Sequence, residues 1–321
     1  MRLGKLDNET LERIVLSKLK HVRGEVVCAP GVGVDCAAVD MGGRLAVLST
    51  DPITAAGKNI GRLTVHVSCN DAAAAGAEPI GLLITLLAPP ETTLEELDAV
   101  TTQLAETAAL ENVEILGGHT EITDAVTRIV TCAAVLAKAG ERGVISPGGM
   151  KAGDSLVLTK HAGLEGASII ASEFSDRAKG VTEAELKLAR GFIERVSVVK
   201  EGLIAAALGA SAMHDVTEGG VLGAAWEMAF AAGLGVVIDA DKIPVHPVTK
   251  RLCETLSLDP LRLISSGCML IAIADGEGLA DKLRAEGIDA AVIGRAQGDI
   301  ARLSSGAPIE APEADELYKL F

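Results

Sequence analysis

The sequence predicts an α+β fold of two domains, each a mixed sheet packed with helices, over residues 1–142 and 143–321. Three observations lead there. The chain has 321 residues, enough for two cores of ordinary size. Apolar runs and helical periodicities alternate without the uniform spacing of repeated βαβ units, which argues against a doubly wound sheet. Between Gly140 and Asp154 the chain collects Gly143, Pro147, Gly148, Gly149 and Gly153, a break in texture that reads as a linker.

Asp7-Asn8 is suited to cap a first helix, and Leu11, Ile14, Val15, Leu19 and Val22 follow at helical spacing. Arg44 to Thr50 is a short apolar strand that ends at Asp51. Ile60 to Ala75 is an Ala-rich helix, narrow enough to lie close on a sheet. Gly81 to Ala88 is a buried strand stopped by Pro89-Pro90. Leu94 to Leu110 is an amphipathic helix with Leu94, Leu97, Leu104 and Ala108 on one face. Val113 to Leu116 leads into Gly117-Gly118, and Thr127 to Lys138 is a further strand. Past the linker come strand Ser155 to Thr159, helices over 164–173, 182–195 and 197–208, and helix Val221 to Ala232. Strands near 235–239, 269–274 and 290–294 complete the second set.

Composition narrows the function. Apolar residues make up 49% of the chain and aromatics only 2%, so the cores are built from Ala, Val, Leu and Ile. A net charge of −15 argues against nucleic acid or anionic membrane as partner. An anionic nucleotide remains possible where a divalent cation bridges it to the protein. Cys28, Cys36, Cys69, Cys132, Cys253 and Cys268 are scattered without a CxxC pair, which disfavours a disulfide framework or a zinc site. Met1 to Asp7 lacks the apolar core of a signal peptide, and no apolar run approaches the ~20 residues of a membrane span. The expectation is a reduced, cytoplasmic protein.

Acidic residues beside small ones mark the chemistry. They occur in Gly33-Val34-Asp35-Cys36, in Ser49-Thr50-Asp51, in Cys69-Asn70-Asp71-Ala72 and in His214-Asp215-Val216-Thr217-Glu218-Gly219-Gly220. Each Asp alone suits a cap or turn. Together they suit Mg²⁺, a hard cation that takes oxygen ligands and shares them with phosphate. Gly219-Gly220 opens a helix whose N-terminus can face an anion, and Gly117-Gly118-His119-Thr120-Glu121 offers backbone N–H groups to phosphate or a plain turn. Ser265-Ser266-Gly267-Cys268 suits a pocket lining or a turn equally. Cys28 is a weaker nucleophile candidate, with no base nearby in sequence.

These elements resemble the AIR synthase (PurM-like) superfamily nearly end to end, most closely its hydrogenase-maturation HypE and AIR-synthase-related groups. The family's "GDDAAV" is similar to Gly33 to Val39, with Asp35 as one acid and Cys36 replacing the second. Its "TD" is similar to Thr50-Asp51. Its "NDxxxxGAxP" matches Asn70-Asp71 through Gly76-Ala77-Glu78-Pro79, the most specific of the set. Its "GGDT" resembles Gly117-Gly118-His119-Thr120, and its "DxTxGG" resembles Asp215, Thr217, Gly219 and Gly220. Gly153-Asp154 and Gly163-Leu164-Glu165-Gly166 resemble the start of its second domain.

The resemblance implies a homodimer formed by the first domain and an ATP site lined by both domains. It implies phosphoryl transfer from ATP to an oxygen or other acceptor, often to activate an amide-like carbonyl. Asp35, Asp51, Asp71 and Asp215 then hold Mg²⁺. Asn70, Gly117, Gly118, Thr120, Thr217, Gly219 and Gly220 bind the nucleotide, and Asp71, His119 and Glu121 serve catalysis. The acceptor is a small molecule or is borne by a protein. Two departures stand out. His119 replaces a phosphate-side acid, which Glu121 can supply, and no cysteine follows Cys268, where HypE proteins carry a terminal thiol that is carbamoylated and dehydrated to thiocyanate. Self-modification of that kind is therefore not expected. A non-catalytic nucleotide-binding maturation partner and a thiamine-phosphate-kinase-like phosphotransferase remain as alternatives.

Overall fold

The computed structural model describes residues 4, 6–31, 33–54, 57–312 and 314–321. The expectation for the leading segment falls partly on residues 1–3 and 5, outside that range. In the first half, β1 (Val26–Cys28), β2 (Ala37–Asp40), β3 (Leu45–Ile53), β4 (Ala77–Ala88), β5 (Glu114–Ile122) and β6 (Val130–Ala139) form one sheet. Its order is β1-β2-β3-β6-β4-β5, with β4 and β5 parallel and the other neighbours antiparallel. Helix α1 (Asn8–Ile14) precedes it, and α2 (Ile60–Ala74) and α3 (Leu94–Leu110) follow β3 and β4.

Strand alternation decides what this sheet buries. Val47 and Ser49 of β3 face α2 and are buried, whereas Leu48, Thr50 and Pro52 point the other way and are exposed. Along α2 every residue except Arg62 is buried, because the helix lies between the first sheet and the second half. Small residues make that approach possible. A Cβ on Gly202 would stand 2.4 Å from the carbonyl oxygen of Ala73, so only glycine fits where the second half presses on α2.

The second half places β7 (Ser155–Thr159), β8 (Ala212–Asp215), β9 (Val236–Ile238), β10 (Met269–Ile273), β11 (Ala290–Ala296) and β12 (Ala301–Leu303) in the order β12-β9-β11-β7-β10-β8. Helices α4 (Leu164–Glu173), α5 (Glu183–Arg190), α6 (Val199–Leu208), α7 (Gly220–Ala232), α8 (Pro247–Leu256) and α9 (Gly276–Ala285) surround it. Every residue of β7, β8 and β10 is buried. Mixed strands and packed helices in both halves make the fold α+β, as the sequence predicts.

Several elements depart from the sequence pattern. Asp7 does cap α1, accepting from the Thr10 N–H at 2.8 Å, but the helix stops at Ile14 and a 3-10 turn follows over Leu16–Lys18. Leu19 and Val22 lie beyond it and are exposed, so no core holds the predicted stripe together. The helix expected over 182–195 gives way to a 3-10 turn after Arg190. Strands β1, β2, β8 and β12 and helices α8 and α9 are additions. The strands β1, β8 and β12 have only three or four residues, too few for periodicity to mark.

Candidate functional site

Four acids converge where the two halves meet. Asp71 occupies the last turn of α2 and is buried beneath β3, where the Ser49 hydroxyl donates to its Oδ2. Asp51 lies two residues beyond Ser49 on the same face of β3, since strand side chains repeat every second residue. From the second half, β8 ends at Asp215, which is also buried. Asp35 stands in the loop before β2 and opens the cluster to solvent. Burial raises the Asp71 carboxyl well above the usual range, and the charges of Asp215, Asp51 and Asp35 add to the effect. Such mutual repulsion is what a bound cation relieves.

His214, to which the sequence reading gave no role, belongs to the same cluster. Its Nδ1 lies 2.7 Å from the Asp215 carbonyl oxygen, and its Nε2 lies 3.0 Å from the Glu227 carboxylate of α7. Burial opposes a charge on this ring, but the Glu227 hydrogen bond and the charges of Asp35, Glu227 and Asp215 outweigh it and raise the imidazole to about 10. Both ring nitrogens therefore donate. Ligand atoms of Asp35, His214 and Asp215 lie within 4.8 Å of one another. The carboxylates of Asp35, Asp51, Asp71 and Asp215 offer the oxygen donors that a hard cation such as Mg²⁺ takes.

The glycine-rich element lies elsewhere. Gly117, Gly118, His119, Thr120 and Glu121 form the inside of edge strand β5 rather than a turn after a strand. Asp51 pairs with Ala133, Ala133 with Ile84, and Ile84 with Gly118, so Asp51 and Gly118 share one row across the sheet. Three strand spacings separate them, about 14 Å. Gly118 is required there, since a Cβ would stand 1.8 Å from the Ile84 carbonyl oxygen at φ +152°. His119 belongs to the next row, with Pro52, Cys132 and Thr85, and points to the face away from α2. His119 Nε2 lies 3.4 Å from Glu121 on that face, and both side chains are exposed. Within one chain, then, His119 and Glu121 do not join the acids.

Two further expectations meet groups already engaged. The Asn70 side-chain amide donates to the Val196 carbonyl at 2.9 Å, and its oxygen accepts from the Val198 N–H at 2.8 Å. With these two bonds it clasps the second half to α2. At the start of α7 the Gly219 N–H donates to Asp315 at 2.8 Å, the Gly220 N–H to the Thr217 carbonyl and the Leu222 N–H to the Leu261 carbonyl. The anion at this helix N-terminus is the chain's own carboxylate, near the C-terminal end. Distance in sequence hid it: Asp315 is 96 residues from Gly219.

The other candidates resolve simply. Ser265 accepts from the Gly163 N–H and donates to the Leu263 carbonyl, and the Cys268 thiol donates to the His161 carbonyl, so this turn is buried structure. Cys28 borders a small crevice with Cys36, Asp35 and Asp71. A larger cavity of about 540 Å³ opens beyond β3, lined by Thr54, Glu91, Arg128, Glu173, Phe174 and Phe321, and it draws on both halves. That is the size of a small-molecule site. Thr54 is three residues past Asp51. Among the described residues, no helix is long and apolar enough to cross a membrane.

Comparison with known proteins follows the same division. Residues 33–137 match the AIR synthase related protein N-terminal domain, and residues 151–302 match the corresponding C-terminal domain. A protein of Methanocaldococcus jannaschii named for hydrogenase expression and formation is 29% identical over 308 residues, 91% of this chain and 88% of the relative. The carbamoyl dehydratase HypE of Rhodobacter capsulatus is 30% identical over 277 residues, 82% of this chain and 78% of the relative. Among solved structures, Escherichia coli HypE superposes with a TM-score of 0.74 at 26% identity, covering 86% of this chain and 88% of that one. A HypE in complex with ATP gives 0.69 at 19% identity over 98% and 97% of the chains. A ThiL complexed with AMPPCP and TMP gives 0.77 at 18% identity over 97% of each.

Proposed function

We propose, from the premise that this chain belongs to the AIR synthase related, PurM-like superfamily and sits beside its HypE-like members, that it is an ATP-dependent enzyme using Mg²⁺. The observation that carries the reading is the convergence of Asp35, Asp51 and Asp71 from one half with Asp215 from the other. Bound there, the cation neutralises the acids and the triphosphate together. The chain's own groups hold the oxygens in place: Ser49 orients Asp71, and the Asn70 clasp keeps α2 against the second half. In the reaction an acceptor oxygen bonds to the γ-phosphorus, the bond to the β-phosphate oxygen breaks, and ADP leaves. The acceptor is a small amide-like molecule or a protein-borne group. The 540 Å³ cavity beyond Asp51 is its proposed place.

The active form is proposed as a homodimer. Leu48, Leu83, Leu87 and Leu136 lie with His119 and Glu121 on the sheet face opposite α2, which no helix covers among the described residues. A second copy laid on that face buries the leucines and brings another chain's His119 and Glu121 near the seam.

Calorimetry tests the reading. ATP binds with Mg²⁺ and at least about 100-fold more weakly in EDTA, and Asp71→Ala binds as weakly as the EDTA sample. Equal binding in all three samples would refute it. The fold shared with ThiL supports a second reading, phosphoryl transfer to thiamine phosphate. ADP release with that acceptor, but with no amide, would select it. Tight ATP binding without turnover would instead indicate a non-catalytic maturation partner.

A further inference from the structure

The cavity of about 540 Å³ holds more charge than its own walls use. Glu96 is one of its acids, but its carboxylate accepts from the Thr93 N–H at 2.8 Å and closes the capping box of α3. Arg177 stands 5.4 Å over the Phe174 ring and donates to the Leu320 carbonyl at 2.7 Å, so it is committed to the wall. Three charged lining groups remain: Arg128, Glu91 and Glu173. Among the described residues, none of them forms a hydrogen bond or an ion pair.

Each is delivered by a different element. Glu91 follows Pro89-Pro90 in the connection from β4 to α3, and Arg128 lies in the connection from β5 to β6. Glu173 is the last residue of α4, where the negative end of the helix dipole adds to its charge. A Cβ on Gly57 would stand 3.8 Å from the Glu173 carboxylate, so this acid lies against the segment that follows β3. Phe174 and Phe321, edge to face with ring centroids 5.2 Å apart, give the cavity an apolar wall. One free guanidinium and two free carboxylates thus share a space of small-molecule size. A guanidinium fork matches a carboxylate, and a carboxylate at a helix C-terminus suits an ammonium.

We propose that the acceptor is a free amino acid whose side chain ends in a carboxamide or ureido group. The inference rests on the reading of the acid cluster as an ATP site with an amide-like acceptor. The α-carboxylate pairs with Arg128, the α-ammonium with Glu173 and Glu91, and the side chain points back along β3 toward Asp51. Thr54, on the cavity wall, is three residues past Asp51, about 10 Å at the rise of a strand. A short side chain and the terminal phosphate fill that span together. An uncharged amide leaves all three groups to water, whereas a zwitterion engages both signs at once.

Amides that differ only in charge test this. The protein holding magnesium and AMPPCP is titrated calorimetrically, and ADP release is followed in parallel with magnesium ATP. The probes are L-glutamine and L-citrulline, glutaramate without the ammonium, 4-aminobutanamide without the carboxylate, and butyramide without either. At least one of the two amino acids binds and drives ADP release, each singly charged amide binds about tenfold more weakly, and butyramide about 100-fold. Arg128→Ala weakens the amino acid about tenfold and leaves 4-aminobutanamide unchanged, whereas Glu173→Gln weakens the amino acid and leaves glutaramate unchanged. Both side chains are exposed, and circular dichroism confirms that the variants are folded. If butyramide acts as well as the amino acids, or if each variant weakens all amides alike, the zwitterion inference is wrong while the amide-acceptor reading stands. If magnesium ATP binds but neither amino acid does, the inference is wrong while the acid-cluster reading stands. If magnesium ATP itself does not bind, the ATP reading falls, and this inference falls with it.

Discussion

Each half of the molecule builds a six-stranded sheet, and the two treat it in opposite ways. In the second half, β7, β8 and β10 are buried at every residue. In the first half, β5 is exposed at every residue, and β3 alternates between buried Val47 and Ser49 and exposed Leu48 and Thr50. Helices α2 and α3 shield one face of the first sheet and, among the described residues, leave the other without a helix. The second sheet therefore carries stability inside one chain, whereas the first has apolar surface left to offer. The acids lie on the shielded face and His119 and Glu121 on the bare one, so the same asymmetry divides the candidate site.

A pair of leucines tests this contrast with the largest expected effect. Leu158 of β7 is fully buried, and Leu158→Ala should cost about 4 kcal/mol in urea unfolding through lost contacts and a residual cavity. Leu83 of β4 is 52% exposed, and Leu83→Lys should change the stability of a single chain by less than about 0.5 kcal/mol. Light scattering should nevertheless report the Leu83→Lys chain at 32.9 kDa and the unmodified protein at about twice that. A similar loss of stability for both variants, with no change of mass, would erase the contrast.

The clasp between the halves should show the next largest effect. Asn70→Ala leaves the Val196 carbonyl and the Val198 N–H buried without their partner, at a cost of about 3 kcal/mol. Differential scanning calorimetry should then resolve two transitions, one for each sheet, with weaker binding of magnesium ATP. A single unshifted transition would show that packing alone joins the halves.

A smaller effect belongs to the second half and depends on pH. Burial pushes the Glu165 carboxyl up to about 7 from 4.5, opposed by the Ser266 hydrogen bond and reinforced by Asp315 and Glu218. Asp315 is raised to about 6, also chiefly by burial. The folded chain therefore holds protons that the unfolded chain releases, and stability falls as pH rises through that interval. Between pH 4.5 and pH 7 Glu165 alone should account for roughly 2 kcal/mol. In Glu165→Gln the Tm should vary with pH less steeply than in the unmodified protein. An identical slope would place the titration elsewhere.

Much of the architecture was legible because long elements carry their own pattern. Helices α2 and α3 and strands β4, β6 and β7 occupy nearly the residues that periodicity and chain breaks indicate. The acids of the cluster were legible through motif spacing, since short polar signatures survive without knowledge of the fold. Short strands and amphipathic helices on the outside of the second half were not. β12 has three residues, and α8 follows a loop with no apolar run to announce it.

The sequence by itself determined the α+β class, because composition, glycine placement and local periodicity act over a few residues. Only the tertiary structure decided what those residues face. Asn70 and Asp71 are neighbours in one motif, yet the helix turns Asn70 to the 196–198 segment and Asp71 to Ser49. Gly219 reads as an open anion site until the chain's far end brings Asp315 to its N–H. Asp51 and His119 lie in adjacent rows of one sheet and on opposite faces of it, a difference of a single residue in register. Side-chain direction reverses at every strand residue, and pairing across β6, β4 and β5 is a long-range property that no local spacing encodes.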